Sequence, residues 1–308
     1  MIAIVGPTAV GKSDIALQLA QYFPLEILSA DSRQVYRYMD IGTSKPSLAD
    51  RASVPHHVID VVDPDEDFSL ANYHQLALQA LKAVRQKSKL PLLVGGSGLY
   101  VWSLVEGWKI PQVPPDREMR RRLESRAEQG DSQSLYRELQ AIDPAAAAKI
   151  DPRNIRRVVR ALEVYYATGQ PPSQLQRKEV PRLSGLIIGF TQERVQLYGR
   201  IDSRVDRMIQ RGLVEEVEQL LKKGYSPSLP SMSGIGYRQI GQFLRGEMTL
   251  PEAIDKMKYE THRLARHQYA WFRLNDSRIR WFDVSGTKRE ASIVALNQVR
   301  GLIEGFMS

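Results

Sequence analysis

The first residues of the chain combine glycine, lysine and serine in a spacing that binds phosphate. The segment 6–13, GPTAVGKS, fits the pattern G-x-x-x-x-G-K-[ST] and lies between an apolar run and a helical pattern, which is the context the motif requires. In such a loop, backbone N–H groups hold phosphate oxygens at the N-terminus of a helix. Lys12 adds a cation, and the Ser13 hydroxyl can bind Mg²⁺. The motif is typical of nucleotide- and ATP-binding proteins, but by itself it predicts only a diphosphate or longer phosphate chain.

Two further side chains with useful chemistry follow apolar runs that predict strands. Asp31 comes just after the run 25–29, and Ser97 follows the run 90–94 in a turn flanked by glycines. If both strands are parallel to the first strand, these side chains meet at the edge of the sheet that carries the phosphate loop. A carboxylate there would accept a proton from an attacking amine or hydroxyl. The alternatives are that Asp31 organises Mg²⁺ in an ordinary P-loop kinase and that Ser97 only shapes its turn.

Arg200 and Arg204 lie four residues apart in a predicted helix and therefore share one of its faces. Two guanidinium forks on one face suit a diphosphate leaving group. Salt bridges with the interleaved Asp202 and Asp206 on a solvated face would give the same spacing. The sequence leaves both interpretations open.

Basic residues also form stripes that favour a polyanion. Four arginines follow the spacing i, i+3, i+4 and i+7, which places them within about 100° on one helix face: Arg153, Arg156, Arg157 and Arg160. Unpaired guanidiniums on one stripe repel each other unless a polyanion neutralises them, and the whole chain has a net charge of +8 and a pI of 9.6. Arg266 lies in a second basic and aromatic face near the C-terminus. Nucleic acid is the favoured partner, and a solvated surface is the alternative.

The elements that would position these residues alternate between strand and helix, which is typical of a parallel sheet. The runs 1–5, 25–29, 57–62, 90–94, 186–190 and 279–284 predict strands, and the patterns 13–22, 69–87, 201–223, 250–274 and the tail predict helices. Between 113 and 181 the patterns are helical and rich in arginine. The predicted fold is α/β. A P-loop NTPase-like parallel sheet flanked by helices is formed by 1–112 and 182–308, and an all-helical insertion domain by 113–181.

Composition narrows the classes of function. The 308 residues include no cysteine, which excludes disulfides, thiolate catalysis and cysteine-type zinc or iron–sulfur sites. No apolar run is long enough to span a membrane, and the phosphate motif begins so early that it leaves no room for a signal peptide. The five histidines show no spacing typical of a metal site. We therefore expect a cytoplasmic protein without a membrane partner.

Together these motifs resemble the tRNA dimethylallyltransferases, also called tRNA isopentenyltransferases, of the bacterial type. The resemblance spans nearly the whole chain. The matching segments are GPTAVGKS at 6–13, SADSRQVYRYMDIGTSKP at 29–46, PHHVIDVVDPDEDFSLANY at 55–73, GGSGLY at 95–100, RRVVRALEVYYATG at 156–169, LYGRIDSRVDRMIQRGLVEEV at 197–217, SGIGYRQ at 233–239 and ARHQYAWFR at 265–273. Ser13 and Ser97 stand where many members have threonine, which keeps the hydroxyl group.

The resemblance implies transfer of a dimethylallyl group from dimethylallyl diphosphate to N6 of the adenosine 3′ to the anticodon, with the helical insertion holding the anticodon stem-loop. Asp31 matches the general base, and Ser97 matches a hydroxyl that places it or the amine. Arg200 or Arg204 would assist the diphosphate-binding residues, which are Gly6, Thr8, Ala9, Val10, Gly11, Lys12 and Ser13. The positions that match tRNA contacts include Asp31, Ser32, Arg33, Gln34, Ser97, Arg120, Arg156, Arg157, Arg160, Gly236, Tyr237 and Arg238.

Three other functions fit parts of the same pattern. A small-molecule or nucleoside kinase also needs a P-loop, and it would bind ATP and transfer its γ-phosphate. An enzyme that prenylates free adenine nucleotides would leave the arginine-rich insertion without a purpose. A non-catalytic RNA-binding or NTP-switch protein would need neither Asp31 nor Ser97. A monomer is the expected oligomeric state.

Overall fold

A single parallel sheet organises most of the molecule. The computed structural model describes residues 1–111, 113, 116–175, 185–286 and 288–307, without the side chains of 117 and 288–292. Within these residues, six strands are ordered β3-β2-β4-β1-β5-β6, and each neighbouring pair is parallel. The strands are β1 (Ile2–Val5), β2 (Leu25–Ala30), β3 (His56–His57), β4 (Leu90–Gly95), β5 (Leu186–Thr191) and β6 (Ile279–Asp283). Parallel strands require crossover connections, which helices supply.

The chain divides into two compact units, which we call the first unit (Met1–Val105 and Leu183–Ser308) and the second unit (Glu106–Arg182). The second unit thus begins before the predicted boundary at residue 113. Helices that precede it are α1 (Lys12–Leu19), α2 (Leu48–Ser53), α3 (Leu70–Gln86) and α4 (Gly98–Val105). It contains α5 (Arg117–Arg126), α6 (Ser132–Ile142), α7 (Pro144–Ala147), α8 (Ile155–Thr168) and α9 (Pro172–Leu175).

The helices after the second unit complete the first unit. They are α10 (Arg194–Gln210), α11 (Leu213–Lys222), α12 (Tyr237–Leu244), α13 (Leu250–Trp271) and α14 (Lys288–Met307). Across the part of the chain that the structure describes, no helix combines the length and the apolar character that crossing a membrane requires.

The core of the first unit lies between the sheet and helices from both ends of the chain. Ile4 of β1 and Leu19 of α1 belong to one buried cluster with Ile201 of α10. The C-terminal helix α14 contributes Val299 and Ile303 to the same cluster, and both side chains are fully buried. The C-terminal helix is therefore an integral layer of the first unit, a role that the sequence did not reveal.

The second unit has its own apolar core and a buried carboxylate. Leu135 and Leu139 of α6 pack with Val158 and Leu162 of α8. Beside them lies the fully buried Glu163 side chain. It accepts hydrogen bonds from the Asp116 N–H group at 2.8 Å and from the guanidinium groups of Arg120, at 2.9 Å, and Arg160, at 2.8 Å. The prediction that this region folds from helices fits these elements.

Two predicted elements differ from the structure for local backbone reasons. The predicted helix 201–223 is two helices, α10 and α11, because Gly212 has a φ of 96° and interrupts the helical path. The predicted strand 57–62 is wrong beyond His57, because Val58 and Asp60 have positive φ values of 62° and 56°, which a strand excludes. Beyond His57, the segment contacts residues 34–37 through an isolated bridge between Tyr36 and Val62 and neighbouring backbone hydrogen bonds.

Candidate active site

The phosphate loop joins β1 to α1 in a conformation that small residues permit. Gly6 has a φ of 140°, and a Cβ atom placed there would lie 2.4 Å from the carbonyl oxygen of Phe190 in β5. Ala9 and Gly11 also have positive φ values, of 65° and 103°. α1 then begins at Lys12 without a side-chain cap on its first amides. These N–H groups are left at the positive end of a helix, where an anion can bind them.

Lys12 turns its ammonium group back into this loop. The Nζ atom donates hydrogen bonds to the carbonyl oxygens of Gly6, at 3.0 Å, and Pro7, at 2.8 Å. Burial and the neighbouring Arg204 guanidinium lower the pKa of Lys12 to about 7, and the Asp31 carboxylate opposes the shift. A bound anion would favour the charged form, so the ligand itself would stabilise the Lys12 cation.

Arg200 and Arg204 of α10 both contact the phosphate loop. Arg200 donates from Nη1 to the carbonyl oxygen of Val10 at 3.3 Å. Arg204 donates from Nη1 to the Thr8 hydroxyl at 3.3 Å and from Nε to the Ser44 hydroxyl at 2.7 Å. Burial lowers the pKa of Arg204, and nearby carboxylates oppose this. Two guanidinium groups therefore stand where a diphosphate would need them.

The alternative of a solvated salt-bridge face is not what α10 shows. Asp202 Oδ1 lies 2.9 Å from Nε2 of His262, and Asp206 forms an ion pair with Lys258 at 2.7 Å. The interleaved acids are thus engaged by α13, so the two arginines are directed to the phosphate loop instead.

Gln268 of α13 fastens the phosphate loop to the turn that carries Ser97. Its Oε1 atom accepts a hydrogen bond from the Thr8 N–H at 2.7 Å, and its Nε2 atom donates to the Gly96 carbonyl oxygen at 3.1 Å. The side chain is buried. Sequence reasoning missed Gln268, although it lies within the segment ARHQYAWFR, because a single glutamine in a helix has no spacing signal.

Asp31 and Ser97 emerge from neighbouring strands. β2 and β4 are paired in parallel up to their last residues, so both strands end at the same edge of the sheet. The Ser97 N–H donates to the Ala30 carbonyl oxygen at 3.1 Å, and the Ser97 hydroxyl accepts from the Ser32 N–H at 3.0 Å. The Asp31 carboxylate accepts from the Arg33 N–H at 2.8 Å. The Ser97 hydroxyl therefore contacts the short loop that carries the Asp31 carboxylate.

The strand order refines the predicted position of Asp31. β4 lies between β1 and β2, so Ser97 follows the strand next to the phosphate loop and Asp31 follows the strand beyond it. The carboxylate still interacts electrostatically with Lys12 and Arg204. The structure thus brings an anion-binding loop, two cations and a carboxylate to one edge of the sheet.

Two of the predicted tRNA-contacting residues in the 31–34 loop are engaged within the protein. Arg33 donates from Nη1 to the carbonyl oxygens of Pro230, at 2.8 Å, and Ser231, at 3.3 Å. Gln34 accepts from the Ser29 hydroxyl at 2.9 Å. Ser32 is exposed. In this loop, Ser32 therefore offers the open surface, while Arg33 and Gln34 hold the loop in place.

The predicted contacts further along the chain have similar structural roles. Gly236 precedes α12 with a φ of 96°, and Tyr237 is buried and donates from its hydroxyl to Glu216 at 2.6 Å. Arg238 forms an ion pair with Glu260. Arg266 is exposed and donates from Nη1 to the hydroxyl of Tyr198 at 2.8 Å. Tyr237 is inaccessible, whereas the arginines lie at the surface.

The arginine stripe of the second unit is less uniform than its spacing predicted. The premise of four unpaired guanidiniums is wrong for Arg160, which binds the buried Glu163, and for Arg153, which pairs with Asp151 at 2.7 Å. Arg153 also precedes α8, which begins at Ile155 behind the Asn154 cap. Arg120 is likewise bound to Glu163. Among these arginines, two have exposed side chains with no ion-pair partner in the described part of the chain: Arg156 and Arg157.

A metal site built by the protein alone is absent from the described residues. No group of three or more His, Cys, Asp or Glu side chains there could hold a metal ion. Mg²⁺ usually keeps several waters and is shared between one or two protein oxygens and the phosphates of a substrate. The exposed Ser13 hydroxyl in the first turn of α1 is chemically suited to such a shared site.

Known proteins resemble this chain over most of its length. A family model described as IPP transferase matches residues 34–275. A tRNA dimethylallyltransferase of Thermomicrobium roseum is 49% identical over 285 residues, which cover 92% of this chain and 86% of that protein. A tRNA dimethylallyltransferase of a Roseiflexus species is 53% identical over 273 residues, covering 89% of this chain and 90% of the relative.

Solved structures show the same similarity. The tRNA isopentenylpyrophosphate transferase of Bacillus halodurans superimposes with a TM-score of 0.72 at 39% identity, covering 99% of this chain and 95% of that chain. A eukaryotic dimethylallyltransferase, described as acting on tRNA, superimposes with a TM-score of 0.83 at 29% identity and covers 99% of this chain and 79% of that chain.

Proposed function

Because the chain belongs to the IPP transferase family, we propose that it transfers the dimethylallyl group of dimethylallyl diphosphate to N6 of the adenosine 3′ to the anticodon in tRNA. Its curated relatives are named tRNA dimethylallyltransferases. The observation that carries the proposal is the meeting of an anion-binding loop with a carboxylate. Lys12 and Arg204 line that loop, and Asp31 lies within their electrostatic reach.

The donor half of the reaction belongs to the phosphate loop. As the C1–O bond of the donor breaks, its electron pair stays on the diphosphate, where negative charge grows. The first amides of α1, Lys12 and Arg204 are fixed donors for this charge. The Ser13 hydroxyl would help to hold Mg²⁺, which would neutralise part of the same charge. Arg200 and Arg204 both reach the loop at 3.3 Å, Arg200 at the Val10 carbonyl oxygen and Arg204 at the Thr8 hydroxyl.

The acceptor half of the reaction belongs to Asp31 and Ser97. The adenine N6 lone pair is delocalised into the ring, so N6 is a weak nucleophile, and the allylic C1 compensates by spreading positive charge. When the N6–C1 bond forms, the N6 proton becomes acidic and passes to the Asp31 carboxylate. Ser97 holds the loop that contains Asp31 through the Ser32 N–H. The products are prenylated adenosine and diphosphate.

Binding of tRNA is assigned to the exposed cations. Arg156 and Arg157 present two exposed guanidiniums on the second unit, and the chain carries eight more positive than negative charges. Contacts of this kind with phosphates would offset the few kcal/mol that unstacking the target base costs. We infer a monomer that acts in the cytoplasm.

One incubation tests the proposal directly. The protein is mixed with labelled dimethylallyl diphosphate, Mg²⁺ and unmodified tRNA, and the tRNA is digested to nucleosides. Labelled N6-dimethylallyladenosine is the expected product, and it should not form when a tRNA with guanosine at the target position is used. Transfer of the γ-phosphate from labelled ATP, without any prenylated adenosine, would assign the chain to the kinases instead.

A further inference from the structure

A turn that contains Ser44 contacts Arg204 on the diphosphate side of the site. It is formed by residues 39–45, which we call the 39–45 turn. Inside it, the Thr43 hydroxyl donates to the Met39 carbonyl oxygen at 2.6 Å, and the Ser44 N–H donates to the Ile41 carbonyl oxygen at 3.0 Å. The turn is thus closed on itself by local hydrogen bonds.

A partly buried carboxylate fixes one side of the 39–45 turn. The Glu216 side chain accepts the Tyr237 hydroxyl at 2.6 Å and three consecutive backbone N–H groups, those of Asp40 at 3.0 Å, Ile41 at 2.7 Å and Gly42 at 3.2 Å. A Cβ atom at Gly42 would lie 2.5 Å from the Tyr237 ring. The turn therefore packs directly on the tyrosine that α12 buries.

A buried lysine fixes the other side. Lys45 donates from Nζ to the Tyr36 carbonyl oxygen at 2.6 Å and to the carboxylates of Asp40, at 2.7 Å, and Asp60, at 2.5 Å. Only 1% of the Lys45 side chain is exposed, so its three donors are all spent on holding the turn. Ser44 lies between these anchors on a rigid support.

Ser44 itself has a backbone conformation that side chains rarely adopt. Its φ is 50°, a left-handed value that is unfavourable for residues other than glycine and asparagine. In this conformation the Ser44 hydroxyl accepts the Nε–H of Arg204 at 2.7 Å. The Ser44 carbonyl oxygen accepts from the Gln34 amide at 3.3 Å. Ser44 thus has a strained backbone conformation at the position where its hydroxyl contacts the Arg204 guanidinium.

We propose that Ser44 is a positioning residue that holds the Arg204 guanidinium in the orientation in which it meets the diphosphate. The inference rests on the proposed function. A guanidinium is planar, so fixing its Nε edge on Ser44 aims its Nη atoms at the phosphate loop, where Nη1 already contacts Thr8. Without the hydroxyl, Arg204 rotates among other partners and the diphosphate loses an oriented donor.

Two substitutions separate the hydroxyl from the backbone strain. Ser44→Ala and Ser44→Gly both remove the hydroxyl, but glycine adopts a positive φ without cost, so its variant should be at least as stable as wild type. We expect both variants to bind inorganic diphosphate, in the presence of Mg²⁺, about tenfold more weakly, the usual loss for a hydrogen bond to a charged group. The KM for dimethylallyl diphosphate should rise, and the KM for tRNA should not change. Ser44→Asn tolerates the left-handed backbone and keeps an acceptor, so it should recover most of the affinity.

A double-mutant cycle with Arg204→Gln decides whether Ser44 acts through Arg204. In the Arg204→Gln background, Ser44→Gly should change diphosphate affinity less than twofold, because the oriented group is already gone. Calorimetric titration measures all four affinities, and thermal unfolding confirms that each variant is folded. Wild-type affinity in Ser44→Gly, or an equal loss in both backgrounds, would overturn the inference while leaving prenyl transfer by the wild type intact. A wild type that neither binds diphosphate nor prenylates tRNA would overturn the proposed function itself.

Discussion

The cations around the phosphate loop are oriented before any ligand arrives. Lys12 is held by two loop carbonyl oxygens, and Arg204 is held by Ser44 and Thr8. Donors that are already in place need no reorganisation when charge develops on the diphosphate, and this is the main source of electrostatic catalysis. The cost is that these cations are desolvated, which lowers the pKa values of both Lys12 and Arg204, and the Arg204 guanidinium lowers the pKa of Lys12 further.

This crowding predicts that diphosphate binding takes up a proton above pH 7. The pKa of Lys12 is about 7 in the free protein, and a bound anion raises it. At pH 8 most free molecules carry neutral Lys12, so binding must protonate it and affinity falls by up to about tenfold per pH unit. Titration calorimetry in two buffers of different ionisation enthalpy measures the uptake. Lys12→Arg stays charged, so equal uptake by both proteins would contradict the prediction.

Removal of the Asp31 carboxylate should slow chemistry and spare binding. We expect Asp31→Ala to lower single-turnover rates by about 10²–10⁴-fold, the usual range for a general base, with nearly unchanged tRNA affinity in filter binding. Asp31 also accepts the Arg33 N–H. Asp31→Asn keeps an acceptor for that bond but cannot take a proton, so it serves as the control for loop structure. If Asp31→Asn turns over at the wild-type rate, the Asp31 carboxylate is not the general base.

At the scale of elements, prediction succeeded where the pattern is continuous and failed where one residue breaks it. β1, β2, β4 and β5 are buried along almost their whole length, and such strands are rich in apolar residues, although β2 also contains Glu26 and Ser29. The breaks at Val58, Asp60 and Gly212 depend on left-handed backbone at single positions, which hydrophobic periodicity does not register. The hydrophobic pattern therefore located the helices and strands, but several of their ends depend on the backbone conformation of single residues in the folded protein.

The candidate site shows the same division. The phosphate loop, Asp31 and Ser97 were predictable because each follows directly from a strand end or a contiguous motif. Gln268 and Ser44 act on groups more than 150 positions away in sequence, a Thr8 amide and an Arg204 guanidinium. Such roles exist only after folding, so no local spacing encodes them.

The second unit should depend on one buried carboxylate. Glu163 of α8 ties α5 to α8 through Arg120 and the Asp116 N–H. Glu163→Gln leaves two guanidiniums without their charge partner, so we expect α5 and α8 to be destabilised by about 3 kcal/mol, seen as faster amide hydrogen exchange in both helices. Diphosphate affinity should stay unchanged. The exposed Glu128→Gln is the matched control, and equal exchange in the two variants would contradict the prediction.

At the scale of the whole molecule, the charge excess should appear as salt-dependent tRNA binding. Arg157→Ala is expected to weaken binding and to reduce the slope of log affinity against log salt by about 1, because one phosphate contact is lost. Arg153→Ala is the control, since Arg153 is already neutralised by Asp151 and should change the slope less. Filter binding from low to moderate salt measures both. If the slope of log affinity against log salt is unaltered in Arg157→Ala, Arg157 does not contact a tRNA phosphate and its helix face is only solvent-exposed.

Another buried charge lies near the amino ends of β2 and β4 in the first unit. Glu26 of β2 has a side chain that is 1% exposed. It contacts three basic groups, those of His57 at 2.8 Å, Lys87 at 3.2 Å and Lys89 at 3.0 Å. Burial raises the pKa of Glu26, but the hydrogen bonds from His57, Lys89 and Lys87 outweigh burial and lower it to about 2. One carboxylate thus joins β2 to β3 and to the start of β4.

This carboxylate should make the protein sensitive to acid in a defined range. The pKa of Glu26 is about 2 in the folded chain, against an ordinary 4.5, so its contribution is complete above pH 4.5 and is lost as the pH falls towards 2. We expect Glu26→Gln to be about 3 kcal/mol less stable than wild type at pH 7, because three basic groups lose their partner, and the difference should shrink steadily below pH 4.5. Guanidinium chloride unfolding from pH 7 to pH 2.5 measures it, with the exposed Asp255→Asn as control. A deficit that stays constant over this range would mean that the Glu26 side chain stabilises the sheet by shape and not by charge.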